Sequence, residues 1–169
     1  IGAYQFLWND PSAQTNASAT GLLSGSYIVT ITDDNGCQDT ASITITEPVT
    51  LTASIALDSN ASCNGVADGG ATASGIGGTI TGSYVFLWDD PSAQTNASAT
   101  GLAAGTYNVT ITDDNGCQDT ESITITEPIT LTASISLDSN AACNGAANGG
   151  ATASGTGGTI TGSYVFLWD

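Results

Sequence analysis

The chain has 169 residues, no lysine, arginine or histidine, and 16 aspartates and glutamates, for a net charge of −16. That excludes nucleic-acid binding, because no cation is present to replace the counterions around phosphates. It also excludes imidazole general-base chemistry, lysine Schiff-base chemistry and every side-chain ion pair. Hydrophobic residues make up 40% of the chain, enough for a core, so the acidity does not make it a disordered tail. Thr, Val, Ile and aromatic residues dominate over strong helix formers, which points to an all-β class. Apolar runs such as residues 84–88 are too short to span a membrane. With no Met and no basic leader, the expectation is a mature piece or a window of something longer.

In chain order, the first expected strand is the aromatic run ending in Phe6-Leu7-Trp8. A hairpin follows around Asp33-Asp34-Asn35-Gly36, and Glu47-Pro48 then breaks the ladder. Next, Leu51, Ala53, Ile55 and Leu57 alternate with Thr52, Ser54, Ala56 and Asp58, which predicts a half-buried strand. A weaker strand of small residues is expected over 71–74, and an apolar one over 83–88 carrying Trp88. Tyr107, Val109 and Ile111 alternate with Asn108, Thr110 and Thr112, and Ile123 and Ile125 alternate with Thr124 and Thr126. The turn between the last two is Asp113-Asp114-Asn115-Gly116, whose Asn-Gly pair suits a hairpin with both turn residues at positive φ. Tyr107, just after a Leu-containing turn, fits the tyrosine corner of immunoglobulin-like sandwiches.

Self-comparison sets the organisation. Phe6-Leu7-Trp8 returns at Phe86-Leu87-Trp88 and Phe166-Leu167-Trp168, a spacing of 80 residues. Asp33-Asp34-Asn35-Gly36-Cys37 returns at Asp113-Asp114-Asn115-Gly116-Cys117. A unit of that length suits one small β domain rather than a solenoid coil. With the boundary at Glu47-Pro48 and Glu127-Pro128, the chain divides into the C-terminal part of one sandwich (1–48), a complete one (49–128) and the N-terminal part of a third (129–169). The expected fold is therefore all-β, as tandem immunoglobulin-like β-sandwich domains with an 80-residue repeat.

The stretch 101–117, reading Gly-Leu-Ala-Ala-Gly-Thr-Tyr-Asn-Val-Thr-Ile-Thr-Asp-Asp-Asn-Gly-Cys, and the Ile-Thr-Ile-Thr-Glu-Pro of 123–128 resemble the SprB-type repeats of bacterial surface proteins. Ser62-Cys63-Asn64-Gly65 and Tyr84-Val85-Phe86-Leu87-Trp88 fit the same pattern, so the resemblance covers essentially the whole chain. One departure is local: the family commonly has a Pro-rich turn before the aromatic strand, where this chain has Gly78-Thr79-Ile80-Thr81-Gly82. The resemblance implies tandem arrays on very large adhesins, immunoglobulin-like or PKD-like sandwiches, and an extracellular or cell-surface structural or adhesive role. It supplies no catalytic residue. The partners it implies are neighbouring repeats of the same protein; self-assembly into filaments is a separate expectation for such a chain.

The cysteines are Cys37, Cys63, Cys117 and Cys143, an even count that suits an oxidising compartment, with neither the close pairs nor the histidines of a zinc site. The preferred pairing is Cys63 with Cys117 inside one domain, leaving Cys37 and Cys143 to partners outside the window. By loop entropy such a bridge contributes about 4 kcal/mol. The rival pairing is Cys37–Cys63 and Cys117–Cys143, each stapling neighbouring domains across a Glu-Pro junction.

Other candidate chemistry is modest. Asn16, Asn60, Asn96 and Asn108 head Asn-x-Ser/Thr acceptors, and Asp39-Thr40-Ala41 resembles the Asp-Ser/Thr-aliphatic signal for O-glycosylation at Thr40. Asp33, Asp34, Asp113 and Asp114 put paired carboxylates beside tight turns, a weak calcium signal without EF-hand spacing, and Asp89-Asp90 adds another pair. Covalent glycans and calcium are thus the only non-protein groups suggested, and no cofactor is expected. Carboxylate pairs can hydrolyse glycosides, but pairs recurring in each copy read as structural parts, so an enzyme is not expected. Thr110, Thr112, Thr124 and Thr126 form an outward threonine array, read as cross-strand pairs ahead of an ice-binding surface. Carbohydrate or partner binding on the sandwich loops stays a second class, as does a head-to-tail polymer in which 129–169 and 1–48 complete one another by strand donation.

Overall fold

A computed structural model describes residues 4–168. The described residues contain strands and turns but no helix, so no helix long and apolar enough to cross a membrane is present among them. The chain forms two compact units, Ile1–Val49 and Thr50–Asp169.

The first unit is one antiparallel sheet in the order β1 (Gln5–Trp8), β2 (Gly25–Thr32), β3 (Gln38–Ile45). Phe6 pairs with Ile31, and Tyr27 with Ile43. Between β1 and β2 the chain runs without strand, held by Gln14, whose amide exchanges two hydrogen bonds with the Thr20 backbone. One face of this sheet carries most of its apolar side chains, with Leu7 and Ile28 exposed on the other, and Val29 is its one buried hydrophobic residue, at 9% exposure.

The second unit contains a full sandwich. One sheet has the order β4 (Thr52–Ser59), β5 (Gly69–Ile76), β7 (Ser98–Leu102), and the other β6 (Val85–Trp88), β8 (Gly105–Thr112), β9 (Gln118–Ile125). The second sheet repeats the register of the first unit 80 residues later, Phe86 facing Ile111 as Phe6 faces Ile31. The core lies between the two sheets. Leu51, Ala53, Ala71, Ala73, Ala99 and Leu102 come from one side, and Trp88, Val109, Ile111 and Ile125 from the other. Small alanines on one sheet face large side chains on the other, which lets the layers approach closely. Gly69 carries this to its limit: a Cβ there would stand 2.6 Å from Ile125 Cγ2. At the outer edge the Ala53 amide donates to Asp119 at 2.8 Å, tying β4 to β9 across the layers.

Both tyrosine corners form, with the Tyr107 hydroxyl donating to the Ala103 carbonyl and that of Tyr27 to Leu23, each at 3.1 Å. The hairpin turn differs from the expected one. Gly116 has φ of +84°, but Asn115 stays at negative φ, so this is a longer turn ending in a left-handed glycine. The reason is Asp113, whose carboxylate accepts the amides of Asn115 and Cys117 and holds the wider loop. Strand β7 was not anticipated, because Ser98-Ala99-Thr100-Gly101-Leu102 carries no β-branched apolar run.

The remainder of the second unit is a two-stranded sheet, β10 (Thr132–Ser139) and β11 (Gly150–Thr156), in the register of β4 and β5. Its apolar side chains are exposed: Leu131 at 63% against 7% for Leu51, and Trp168 at 57% against 1% for Trp88. Trp88→Ala is therefore expected to destabilise the sandwich by about 3–5 kcal/mol. Trp168→Ala should leave the denaturation midpoint nearly unchanged, and urea titration of the two variants checks both.

Candidate functional site

Three carboxylate-anchored turns and one joint carry the polar organisation of the second unit. The first turn is 113–117. The Asp113 carboxylate is buried and accepts from the amides of Cys117 (2.8 Å), Asn115 (3.0 Å) and Thr79 (2.8 Å). The Thr79 amide, then burial, then the Cys117 and Asn115 amides act on its acidity, and the donors outweigh burial and hold its pKa below the usual carboxylate value. Asp114 accepts from the amide and hydroxyl of Thr81 and the amide of Gly82, which likewise lower its pKa. Asn115 closes the brace by donating to the Thr79 hydroxyl at 2.9 Å. The loop 77–82 thus serves as the socket for the hairpin.

The second turn is Asp90-Pro91-Ser92-Ala93-Gln94. Burial would raise the Asp90 pKa, but the Gln94 amide, the Gln94 side chain and the Ser92 amide together hold it below the usual value. They also hold Ala93 at φ of +47°, a left-handed conformation rare for alanine. Asp10 repeats the arrangement in the first unit, its pKa lowered chiefly by the Gln14 amide.

The third turn is the loop after β4. The Ser62 hydroxyl and amide both donate to Asp68, lowering its pKa and ordering the residues on either side of Cys63. This loop clasps the linker. Asn64 Nδ2 donates to Glu127 Oε1 at 2.8 Å and to the Pro128 carbonyl at 3.2 Å. The Gly65 amide donates to Glu127 Oε2 at 2.7 Å, and the Thr130 hydroxyl donates to Asn64 Oδ1 at 2.9 Å. Farther on, the Thr159 hydroxyl donates to the Ser62 carbonyl at 3.4 Å. A cavity of ≈ 500 Å³ lies at this joint, lined by residues including Cys63, Asn64, Leu131, Thr159 and Tyr164.

All four cysteines are free and exposed. The preferred Cys63–Cys117 bridge is ruled out by geometry. Cys63 sits in the loop that grips Glu127, whereas Cys117 precedes β9 at its opposite end. The eight residues of β9 at about 3.3 Å each put them about 26 Å apart, against less than about 7 Å between the Cα atoms of a bridge. The rival Cys117–Cys143 pairing fails within one chain as well: β9 separates Cys117 from the joint on one side, and β10 separates Cys143 from it on the other. Sequence spacing could not see this, because it does not say at which end of a strand each cysteine lies.

Of the carboxylates proposed for calcium, Asp33, Asp113 and Asp114 accept hydrogen bonds from the chain, whereas Asp34 is exposed at the turn. Asp33 accepts the Asn35 and Cys37 amides, Asp113 and Asp114 the donors given above, and among the described residues no three His, Cys, Asp or Glu side chains gather as a metal site. The glycosylation candidates Asn16, Asn60, Asn96, Asn108 and Thr40 are all exposed. Two are already committed, since Asn60 Oδ1 accepts the Thr126 amide and Asn108 Nδ2 donates to Asp89. The threonine array forms cross-strand pairs, Thr106 with Thr124 and Thr110 with Thr120, and Thr112 accepts from Gln118. Asn64 went unremarked in the sequence as a linker clamp; its position next to Cys63 and before glycine was the only local signal.

No family model matches the chain, and no curated protein matches it. Among solved structures it is similar to an amphioxus IgVJ-C2 molecule, at 16% identity, over 75% of this chain and 91% of that one. The TM-score is 0.34, at which neither fold nor function transfers. The sandwich assignment rests on the two sheets and their shared core.

Two outcomes follow from the braced hairpin. Gly78 has φ of +66°, and a Cβ there would stand 2.6 Å from Asp113 Oδ2, so Gly78→Ala should lower the thermal midpoint clearly. Asp113 has a folded pKa below its unfolded value of about 3.9. Its stabilisation is therefore complete above about pH 4 and is lost as pH falls through the lowered folded value. Asp113→Asn should reduce stability at neutral pH and flatten the acid limb of a stability–pH curve. An unchanged limb would show that the carboxylate charge is not what holds the turn.

Proposed function

We propose that this chain is a stretch of an extracellular structural or adhesive array, a rod of stacked β-sandwich repeats on or shed from a bacterial surface and decorated with glycans. The observation that carries the reading is the clasped linker. Glu127-Pro128 is not a free tether: Asn64 and Gly65 hold it at both carboxylate oxygens and at the proline carbonyl, and the Thr130 hydroxyl braces Asn64 by donating to its Oδ1. Proline restricts the backbone, and the hydrogen bonds restrict what proline leaves free. A joint of this kind makes neighbouring sandwiches a stiff series rather than beads on a string.

The charge supports the same reading. A surface of net charge −16 without a single cation resists self-aggregation and favours an extended form at moderate salt. The exposed hydroxyl-rich faces, Thr40 among them, offer acceptor sites for sugars. The resemblance to SprB-type repeats points to the same kind of surface array. In the complete sandwich a sugar-binding platform on Trp88 is not favoured, because it is a core residue at 1% exposure whose indole N–H is bound to the Asn96 carbonyl.

Two measurements test the reading. The intact mass of native material under non-reducing denaturation should be far above the 16.8 kDa of the bare sequence and heterogeneous, with chemical deglycosylation separating glycan from polypeptide. A mass at the bare value would overturn the covalent array. In the second, Asn64→Ala should increase interdomain flexibility, read as a broadened distance distribution in small-angle scattering and faster proteolysis beside Glu127. Unchanged scattering and cleavage would show that the clasp does not stiffen the joint.

A further inference from the structure

We propose that Asn64 is a deamidation site guarded by the linker clasp: the closed clasp protects it, and conversion of its amide to a carboxylate after the clasp has opened prevents reclosure. The proposal rests on the clasped joint of the stacked-repeat reading and gives that joint a one-way change from stiff to loose.

Asn64-Gly65 is a dipeptide in which this reaction meets little steric resistance, because glycine has no Cβ to shield its nitrogen. The Gly65 nitrogen gives its proton to solvent and attacks Asn64 Cγ, forming a C–N bond. The Cγ–Nδ2 bond breaks, and Nδ2 takes a proton from solvent and leaves as ammonia. Water then opens the cyclic imide at either of its carbonyls, leaving aspartate or isoaspartate. One amide and one water are consumed, one carboxylic acid and one ammonia are formed, and nothing is oxidised or reduced.

In the closed joint both nitrogens of this reaction are held by one carboxylate. The Gly65 amide donates to Glu127 Oε2 at 2.7 Å, and Asn64 Nδ2 donates to Glu127 Oε1 at 2.8 Å. Asn64 Nδ2 also reaches the Pro128 carbonyl at 3.2 Å, and Asn64 Oδ1 accepts the Thr130 hydroxyl at 2.9 Å. These bonds fix the plane of the side-chain amide, whereas ring closure requires Cγ to turn onto the Gly65 nitrogen. The Glu127 charge also opposes loss of the Gly65 proton, because the resulting anion would lie beside it. Both restraints end when the clasp opens. Asn64 and Glu127 are exposed, so the clasp opens by local fluctuation while the core stays folded.

The product does not fit back. An ionised Glu127 only accepts hydrogen bonds, and a carboxylate in place of the Asn64 amide has no N–H to give. Two like charges would then face one another where donor and acceptor stood 2.8 Å apart. The chain has no lysine, arginine or histidine to bridge them. Asn115-Gly116 is the same dipeptide with a different partner. Asn115 Nδ2 donates to the Thr79 hydroxyl at 2.9 Å, and a hydroxyl can turn to donate to a carboxylate. Deamidation at Asn115 therefore keeps its contact, and deamidation at Asn64 loses it.

The test holds the 169-residue chain and its Glu127→Ala variant in mildly alkaline buffer, with and without unfolding concentrations of urea. Deamidation at Asn64 and Asn115 is followed by peptide mass spectrometry. Without urea, Asn64 is expected to convert about tenfold more slowly in the wild type than in the variant, with Asn115 converting alike in both. In urea the two chains should agree at Asn64. Equal rates at Asn64 without urea, or a faster wild type, would overturn the protection. Cleavage beside Glu127 by a glutamate-specific protease tests the second part. Asn64→Asp should speed it at least as much as Asn64→Ala, and Asn115→Asp should leave it unchanged. If Asn64→Ala speeds cleavage and Asn64→Asp does not, the stiff joint stands and the one-way change falls. If neither does, the clasp itself fails, and with it the stiff joint. The native-mass test judges the array independently of all these rates.

Discussion

A carboxylate removed from water needs donors around it, and this chain offers no lysine, arginine or histidine to provide them. The acidic residues that organise the fold are therefore bound by N–H and O–H groups alone. Asp10 and Asp90 fold one class of turn, Asp33 and Asp113 another, and Asp119 stitches the two layers at their edge. Backbone amides are fixed in direction by the strands they end, so an anchor of this kind specifies geometry as well as compensating charge. Among the described residues no buried side-chain nitrogen or oxygen lacks a partner, so the donors suffice.

The same device extends from the turns to the joint. Glu127 belongs to the linker, yet both its oxygens are held by the loop of the preceding sandwich. That loop is itself ordered by Asp68 through Ser62. A chain of carboxylate anchors thus runs from the sandwich interior to its boundary. The donors of this clasp lie in a loop already ordered by its own hydrogen bonds, so less further entropy is lost in making it.

Much of the architecture was legible in advance. The alternation of Tyr107, Val109 and Ile111 with Asn108, Thr110 and Thr112 gave β8 its two faces, and Tyr107 announced the corner that its hydroxyl closes. The hairpin was legible as a hairpin but not as its true turn type, because the Asp113 carboxylate overrides the usual Asn-Gly geometry. The joint was legible only as a proline break. Its clasp depends on Asn64 lying some sixty residues before the residues it holds, and no local pattern encodes that.

The comparison of identical segments shows where sequence stops. Ser98-Ala99-Thr100-Gly101-Leu102 is strand β7, while the same five residues at 18–22 form no strand. Val85–Trp88 is a strand, while its counterpart 165–168 is not. Composition, the 80-residue spacing and the alternation of apolar side chains by themselves determined an acidic, all-β chain with its hairpins and corners, since these follow from local periodicity and turn chemistry. Whether β7 and the aromatic strand form, which end of a sandwich each cysteine occupies, and which carboxylate holds which amide were decided only by tertiary structure. A strand's hydrogen bonds and a core's burial exist only when the neighbouring strand and the facing sheet are present to supply them.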